Sequence, residues 1–257
     1  MLREHGADVV RFTPDRAGDA AESGAARMVV AGGDGSIGRA AEIAGRAGVP
    51  LAVVPVGTAN DFAGALGIPL DPAEACRLAV RGQRTRRLEL AWIGSRPFVN
   101  AASAGLSPVA ARKAQGLKRV FGPLAYSLGA LRAGFGARPI PCRVSCEDDL
   151  LFDGLAWQVT VGATGAFGAG ATVEADPSDG MLDVVVLQAS SRARLIAHAY
   201  RLRAGRVESQ RGVRDRRCRD LEVVTDGDTG FNVDGEVIDV GDARFRVEAG
   251  AYEVVIG

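Results

Sequence analysis

The stretch Arg27-Met-Val-Val-Ala-Gly-Gly-Asp-Gly-Ser-Ile37 decides how this chain is built. Arg27–Ala31 is a strand-sized apolar run, Gly32-Gly33-Asp34-Gly35-Ser36 is a turn, and Ile37 to Gly48 carries apolar residues at helical spacing. Gly48 and Pro50 mark the end of that helix, because neither residue continues one easily. A second unit repeats the order. It has a strand at Leu51–Pro55, a loop at Val56-Gly57-Thr58-Ala59-Asn60, a helix from near Asp61 and another from Pro72 to Val80. Upstream, Asp8–Phe12 reads as a further short strand. Strands and helices alternating through short loops predict an open parallel sheet covered by helices.

Beyond Leu88 the texture changes to short strands: Leu88–Ile93, Phe98–Asn100, Cys142–Cys146, Ala156–Gly162, Leu182–Leu187, Leu221–Thr225, Gly230–Val233, Phe245–Glu248 and Tyr252–Ile256. Two helical stretches interrupt them, Val120–Phe135 and Arg192–Ala204. This pattern predicts an antiparallel β-sandwich. The expected fold class is therefore α/β plus all-β, with an α/β domain over residues 1–88 and a β-sandwich domain over 89–257.

Composition narrows the partners. Hydrophobic residues make up 47% and charged residues 24% of 257, enough apolar surface for a real core. Lysine plus arginine and aspartate plus glutamate number 31 each, so no global field favours nucleic acid, and none is expected as a partner. No apolar run reaches the roughly 18–20 residues that span a bilayer. Met1-Leu-Arg-Glu-His5 is not followed by the apolar run of a signal peptide. A cytoplasmic protein with at most peripheral membrane contact is expected. Cys76, Cys142, Cys146 and Cys218 have neither redox nor zinc spacing and read as reduced and structural.

Both glycine loops lie at carboxyl ends of strands, where open sheets gather ligands. Glycines let backbone N–H groups approach an anion, and the following helix points its positive end there. Ser36 can cap that helix or donate to a phosphate oxygen. Asp34 admits two readings: it shares a Mg²⁺ with bound phosphates, or it serves the turn. Asn60 or Asp61 can equally be a helix cap. Asp234-Gly235 by itself reads as a two-residue hairpin turn, and Asp176–Met181 as a turn before a strand. The basic and apolar stretch from Arg112 to Phe135 reads as a helix covering the sandwich or a membrane-surface segment.

Taken together, Gly32-Gly-Asp-Gly-Ser36, Pro55-Val-Gly-Thr-Ala-Asn-Asp-Phe-Ala63, Phe98-Val-Asn-Ala-Ala-Ser-Ala-Gly105, Gly122-Pro-Leu-Ala-Tyr126, Asp179-Gly-Met-Leu-Asp183 and Val233-Asp-Gly-Glu236 closely resemble the diacylglycerol kinase catalytic family and its bacterial lipid kinases. That resemblance runs from about residue 5 to the C-terminus. It implies a Rossmann-like nucleotide-binding domain of the NAD kinase/diacylglycerol kinase type, a lipid-substrate domain, and phosphoryl transfer from Mg-ATP to a lipid hydroxyl. By it, Gly32, Gly33, Asp34, Gly35 and Ser36, with Gly57, Thr58 and Asn60, bind nucleotide, and Asp34 helps position Mg-ATP. Glu236 is the implied general base. Asp179 is the implied side-chain ligand of a structural Mg²⁺, with the carbonyls of Asp176 and Met181.

The chain departs from the family in three places. The usual first strand with its Asn-Pro loop is absent, which leaves a sheet edge and makes a homodimer plausible. Gly38 stands where asparagine is usual, and Thr164-Gly-Ala-Phe-Gly168 replaces an Asn-Gly stretch. The alternatives are a member that binds nucleotide or lipid without turnover, and an NAD kinase-like enzyme.

Overall fold

The structure is a computed structural model that describes residues 1–106, 138–164, 176–191, 212–226, 229–240 and 242–257. The helices expected at Val120–Phe135 and Arg192–Ala204, the Gly122–Tyr126 motif and residues 165–168 lie outside them.

Strand β1 (Met28–Gly32) pairs in parallel with β2 (Leu51–Pro55), from Met28 opposite Leu51 to Gly32 opposite Pro55. All of β2 is buried, because helices cover both faces of the sheet. Helix α2 (Asp34–Ala47) packs with Leu51 and Val53 on one face. Helix α4 (Pro72–Arg81) packs with Ala52 and Val54 on the other. The Asp71 carboxylate caps α4, accepting from the backbone of Ala73 and Glu74 at 3.0 Å each. Helix α2 starts three residues before the expected Ile37. The weak helix formers Asp34 and Gly35 hide its first turn from a propensity reading, yet both have helical backbone. The strand expected at Asp8–Phe12 does not form. Val10 is 67% exposed, so no buried face favours pairing there. A helix α1 (Ala17–Ala21) follows instead.

Strand β3 (Arg84–Ile93) turns into β4 (Arg96–Phe98), and β5 (Ala101–Gly105) continues the chain. The sandwich is built from β5 with β6 (Ile140–Cys146), β7 (Asp149–Gly162), β8 (Leu182–Gln188), β9 (Val213–Cys218), β10 (Asp220–Thr225), β11 (Gly230–Val233) and β12 (Glu236–Asp239), all paired antiparallel. Its interior is apolar, with the Phe245 ring in contact with those of Phe98 and Phe231. The last strand, β13 (Ala243–Ile256), ties the two regions together. Its first half pairs with β10, while Val254 lies parallel to Leu51 of β2, and most of its length pairs with β3. The division expected at residue 88 falls inside β3, whose whole length follows β13. All four cysteines are free and buried.

Gly38 has a packing role that its polar counterpart in the family could not fill. A Cβ there would lie 2.7 Å from the Pro97 carbonyl oxygen, and one at Gly45 only 2.2 Å from that of Ala251. These two glycines, one above the other on α2, let β4 and β13 approach the helix backbone. Gly38→Asn should therefore destabilise the protein by about 1–3 kcal/mol through overpacking. Urea unfolding checks this; an unchanged midpoint would mean that β4 yields at no cost.

Candidate active site

The two glycine loops touch. The Val56 N–H donates to the Gly32 carbonyl at 3.1 Å, and a Cβ on Gly57 would come within 2.5 Å of the Gly33 Cα. Side chains at either position would fill the space where strands β1 and β2 end. Asn60 holds the second loop closed. Its amide accepts from the Gly57 N–H at 3.0 Å and donates to the Gly57 carbonyl at 3.1 Å, with Asn60 itself at φ 55°. Thr58 and Ser36 are exposed beside the cradle.

Asn60 precedes α3 (Asp61–Ala65), but it does not cap that helix through its side chain. Asp34 does so from across the site. One of its carboxylate oxygens accepts from the Asp61 N–H at 3.2 Å, and the other accepts from the Phe62 N–H at 3.0 Å and from the Asn100 side-chain amide at 2.9 Å. The Asn100 carbonyl oxygen in turn accepts from the Thr164 hydroxyl at 3.0 Å. A buried polar chain thus runs from the sandwich through Asn100 to the first loop. The proximity of Asp34, after burial itself, raises the pKa of Asp61. Of the two sequence readings of Asp34, the geometry supplies an anchor: the carboxylate is buried and faces protein donors.

Hairpin β11–β12 delivers the second carboxylate. Asp234 and Gly235 both have positive φ, 47° and 89°, which sets Val233 opposite Glu236. The Asp234 side chain turns inward and accepts from the backbone N–H groups of Val99, Asn100 and Ala101 at 2.8, 2.9 and 3.1 Å. Burial pushes its pKa up to about 7, against the three N–H donors, which favour the anion. Glu236 turns outward to the start of α2, where a Cβ on Gly35 would lie 3.1 Å from its Oε1, and it pairs with Arg96. The structure therefore brings Gly32, Gly33, Asp34, Gly35, Ser36, Gly57, Thr58, Asn60 and Glu236 into one region.

The loop of Asp176, Asp179 and Met181 stands apart from it. Asp176 accepts from the Ser178 hydroxyl at 2.5 Å and from the Ser178 N–H at 3.1 Å and pairs with Arg86 at 2.9 Å; these contacts, the hydroxyl first, hold its carboxyl below the usual range. Asp179 accepts from the Met181 N–H at 2.9 Å and pairs with Arg217. Behind the loop, Glu89 accepts from the Gly180 N–H at 2.6 Å. One oxygen of Glu89 and one of Asp183 are buried without a partner, and burial raises the two groups to about 7 and about 6. Among the described residues no three His, Cys, Asp or Glu side chains converge with ligand geometry.

Asp234, Asn100, Arg96 and Glu89 were not singled out from the sequence. Asp234 stood next to the implied base but was legible only as a turn residue. Glu89 comes from β3, Arg96 from β4 and Asn100 from the link between β4 and β5, and no spacing marks them.

Glycine loops meeting at a helix N-terminus, with a sandwich hairpin presenting a carboxylate to the same spot, define a kinase of the NAD kinase/diacylglycerol kinase class. Residues 5–92 match the diacylglycerol kinase catalytic domain, and residues 100–256 match the YegS C-terminal NAD kinase beta sandwich-like domain. A Pseudomonas aeruginosa protein named "Probable lipid kinase YegS-like" is 33% identical over 241 residues, covering 92% of this chain and 78% of its own. A Staphylococcus saprophyticus diacylglycerol kinase is 27% identical, covering 91% and 80%. The crystal structure of a diacylglycerol kinase from Bacillus anthracis superposes with a TM-score of 0.74 at 20% identity, covering 96% of this chain and 84% of that one, which shows the shared fold. The chain belongs to the YegS-like and diacylglycerol kinase family of lipid kinases. No helix among the described residues is long and apolar enough to cross a membrane.

Proposed function

We propose that the protein transfers the γ-phosphoryl group of Mg-ATP to the hydroxyl of diacylglycerol or a similar lipid, taken from a membrane surface. The observation that carries this reading is the placement of Glu236 against Gly35 at the N-terminus of α2, beside the Gly33–Gly57 contact. The cradle fits phosphate because glycine backbone lines it, with the positive end of a helix behind it. When bound, Mg-ATP supplies the transferred group and the charge neutralisation that phosphoryl transfer needs. Backbone N–H groups around Gly33 and Gly35 orient the phosphates, with Ser36 and Thr58 as further donors. Glu236 accepts the proton of the attacking hydroxyl, a role worth roughly 10²–10⁴ in rate. Asp34 holds the second loop in register for binding.

The Asp176–Met181 loop fits a hard cation in one respect. The unpartnered carboxylate oxygens of Glu89 and Asp183 are buried near it, and oxygen donors suit Mg²⁺. Arg217, paired with both Asp179 and Asp183, supplies positive charge there and would have to give way at Asp179. Millimolar Mg²⁺ should raise the melting temperature of the wild type by a few degrees through mass action and leave Asp179→Asn unmoved. Equal shifts in the two proteins would remove the cation from this loop.

Labelled γ-phosphate transfer to a panel of lipid alcohols tests the main reading. The panel contains dioleoylglycerol, a sphingoid base, a polyprenol and phosphatidylglycerol. Label in one lipid, lost in Glu236→Gln, is the expected result. A folded protein that binds ATP yet labels none of them would make it a binding member of the family.

A further inference from the structure

The segment from Arg96 to Ala101 and the hairpin carrying Glu236 are joined at several points. The Asp234 carboxylate takes the N–H groups of Val99, Asn100 and Ala101, and the Asp234 N–H donates to the Ala101 carbonyl at 3.0 Å. On the other side, Pro97 packs against the backbone of α2 at Gly38. Arg96 directly precedes these anchors at the start of β4, where it pairs with Ile93, and its guanidinium meets the Glu236 carboxylate. Glu236 is thus bounded by Gly35 on α2 and by Arg96 on β4. Its side chain is otherwise 60% exposed and has two further methylenes of freedom. A pair this exposed adds little to folding stability. Its consequence is geometric, because it selects one carboxylate position at the mouth of the phosphate cradle.

We propose that Arg96 is a positioning residue for phosphoryl transfer, holding the Glu236 carboxylate at the N-terminus of α2 where the acceptor hydroxyl must meet the nucleotide. The inference rests on the reading of Glu236 as the base. Arg96 acts through Glu236, so the two residues should fail to add when both are removed. A planar guanidinium fixes a carboxylate better than a lysine ammonium does, so Arg96→Lys should restore only part of the loss.

The test is a double-mutant cycle on kcat. Its acceptor is dioleoylglycerol or phosphatidylglycerol in mixed micelles, whichever the wild type labels. Arg96→Gln should lower kcat about tenfold with KM for ATP within about twofold, and Glu236→Gln should lower it more than about a hundredfold. The double variant should match Glu236→Gln alone, and the melting temperature of Arg96→Gln should equal the wild type's. If the two losses multiply, Arg96 does not act through Glu236 and the proposal is wrong. Wild-type kcat in Arg96→Gln with an inactive Glu236→Gln overturns the role of Arg96 alone. Wild-type kcat in Glu236→Gln removes the base, and with it this inference.

Discussion

Asp234→Ala should cost about 3–5 kcal/mol of folding stability, the largest single loss expected in this protein outside its apolar core. The substitution leaves the N–H groups of Val99, Asn100 and Ala101 without their acceptor in a part-buried place. Urea unfolding followed by circular dichroism measures the loss, and a shift below about 1 kcal/mol would show that the three bonds are not made. Asp234→Asn keeps one carbonyl oxygen and should fall between alanine and wild type. The pair also carries a pH signature. Burial raises the folded-state pKa of Asp234 from 3.8 to about 7, so the native state binds more protons than the unfolded state between those values. Its contribution is complete below the unfolded pKa and is lost as pH rises through about 7. The wild type should therefore lose stability over that window relative to Asp234→Asn. Parallel pH profiles for the two proteins would sink this assignment.

The second large effect belongs to Asp34. Asp34→Ala should remove phosphotransfer by more than about a hundredfold and destabilise by about 2–4 kcal/mol, because two N–H groups at the start of α3 and the Asn100 amide lose their acceptor together. Asp34→Asn separates the two readings of this residue. An asparagine oxygen can still take the Phe62 N–H and part of the network, so an anchor should tolerate it with about a ten- to hundredfold loss in kcat. A residue needed for its charge beside Mg-ATP should lose all activity in Asp34→Asn while the fold survives. The expected outcome is partial activity, since the carboxylate is buried and already occupied by protein donors.

The strand–loop–helix at Met28–Ala47, the buried β2 and the helix starting at Pro72 were legible because each depends on neighbours within a few residues. Periodicity and the placement of glycine and proline carry that information locally. The glycine loops and the Asp234-Gly235 turn were legible for the same reason. The partner of Asp34 was not: Asn100 and the α3 N–H groups reach it through separate elements, and no sequence interval encodes their meeting. The Asp8–Phe12 strand failed because local alternation predicts a strand only where something buries one face. Gly38 read as a lost polar contact, yet its place is set by the Pro97 carbonyl pressing on α2.

By itself the sequence determined the class of fold, the two glycine loops and the hairpin that carries Glu236, since these follow from local backbone chemistry and the order of motifs. Only the tertiary structure decided that Asp34 caps a helix across the site, that Asp234 faces inward while Glu236 faces out, and that Arg96 meets that glutamate. Those outcomes depend on burial and on hydrogen-bond donors brought from strands far apart in the chain, which act on a side chain only after the sheets have assembled.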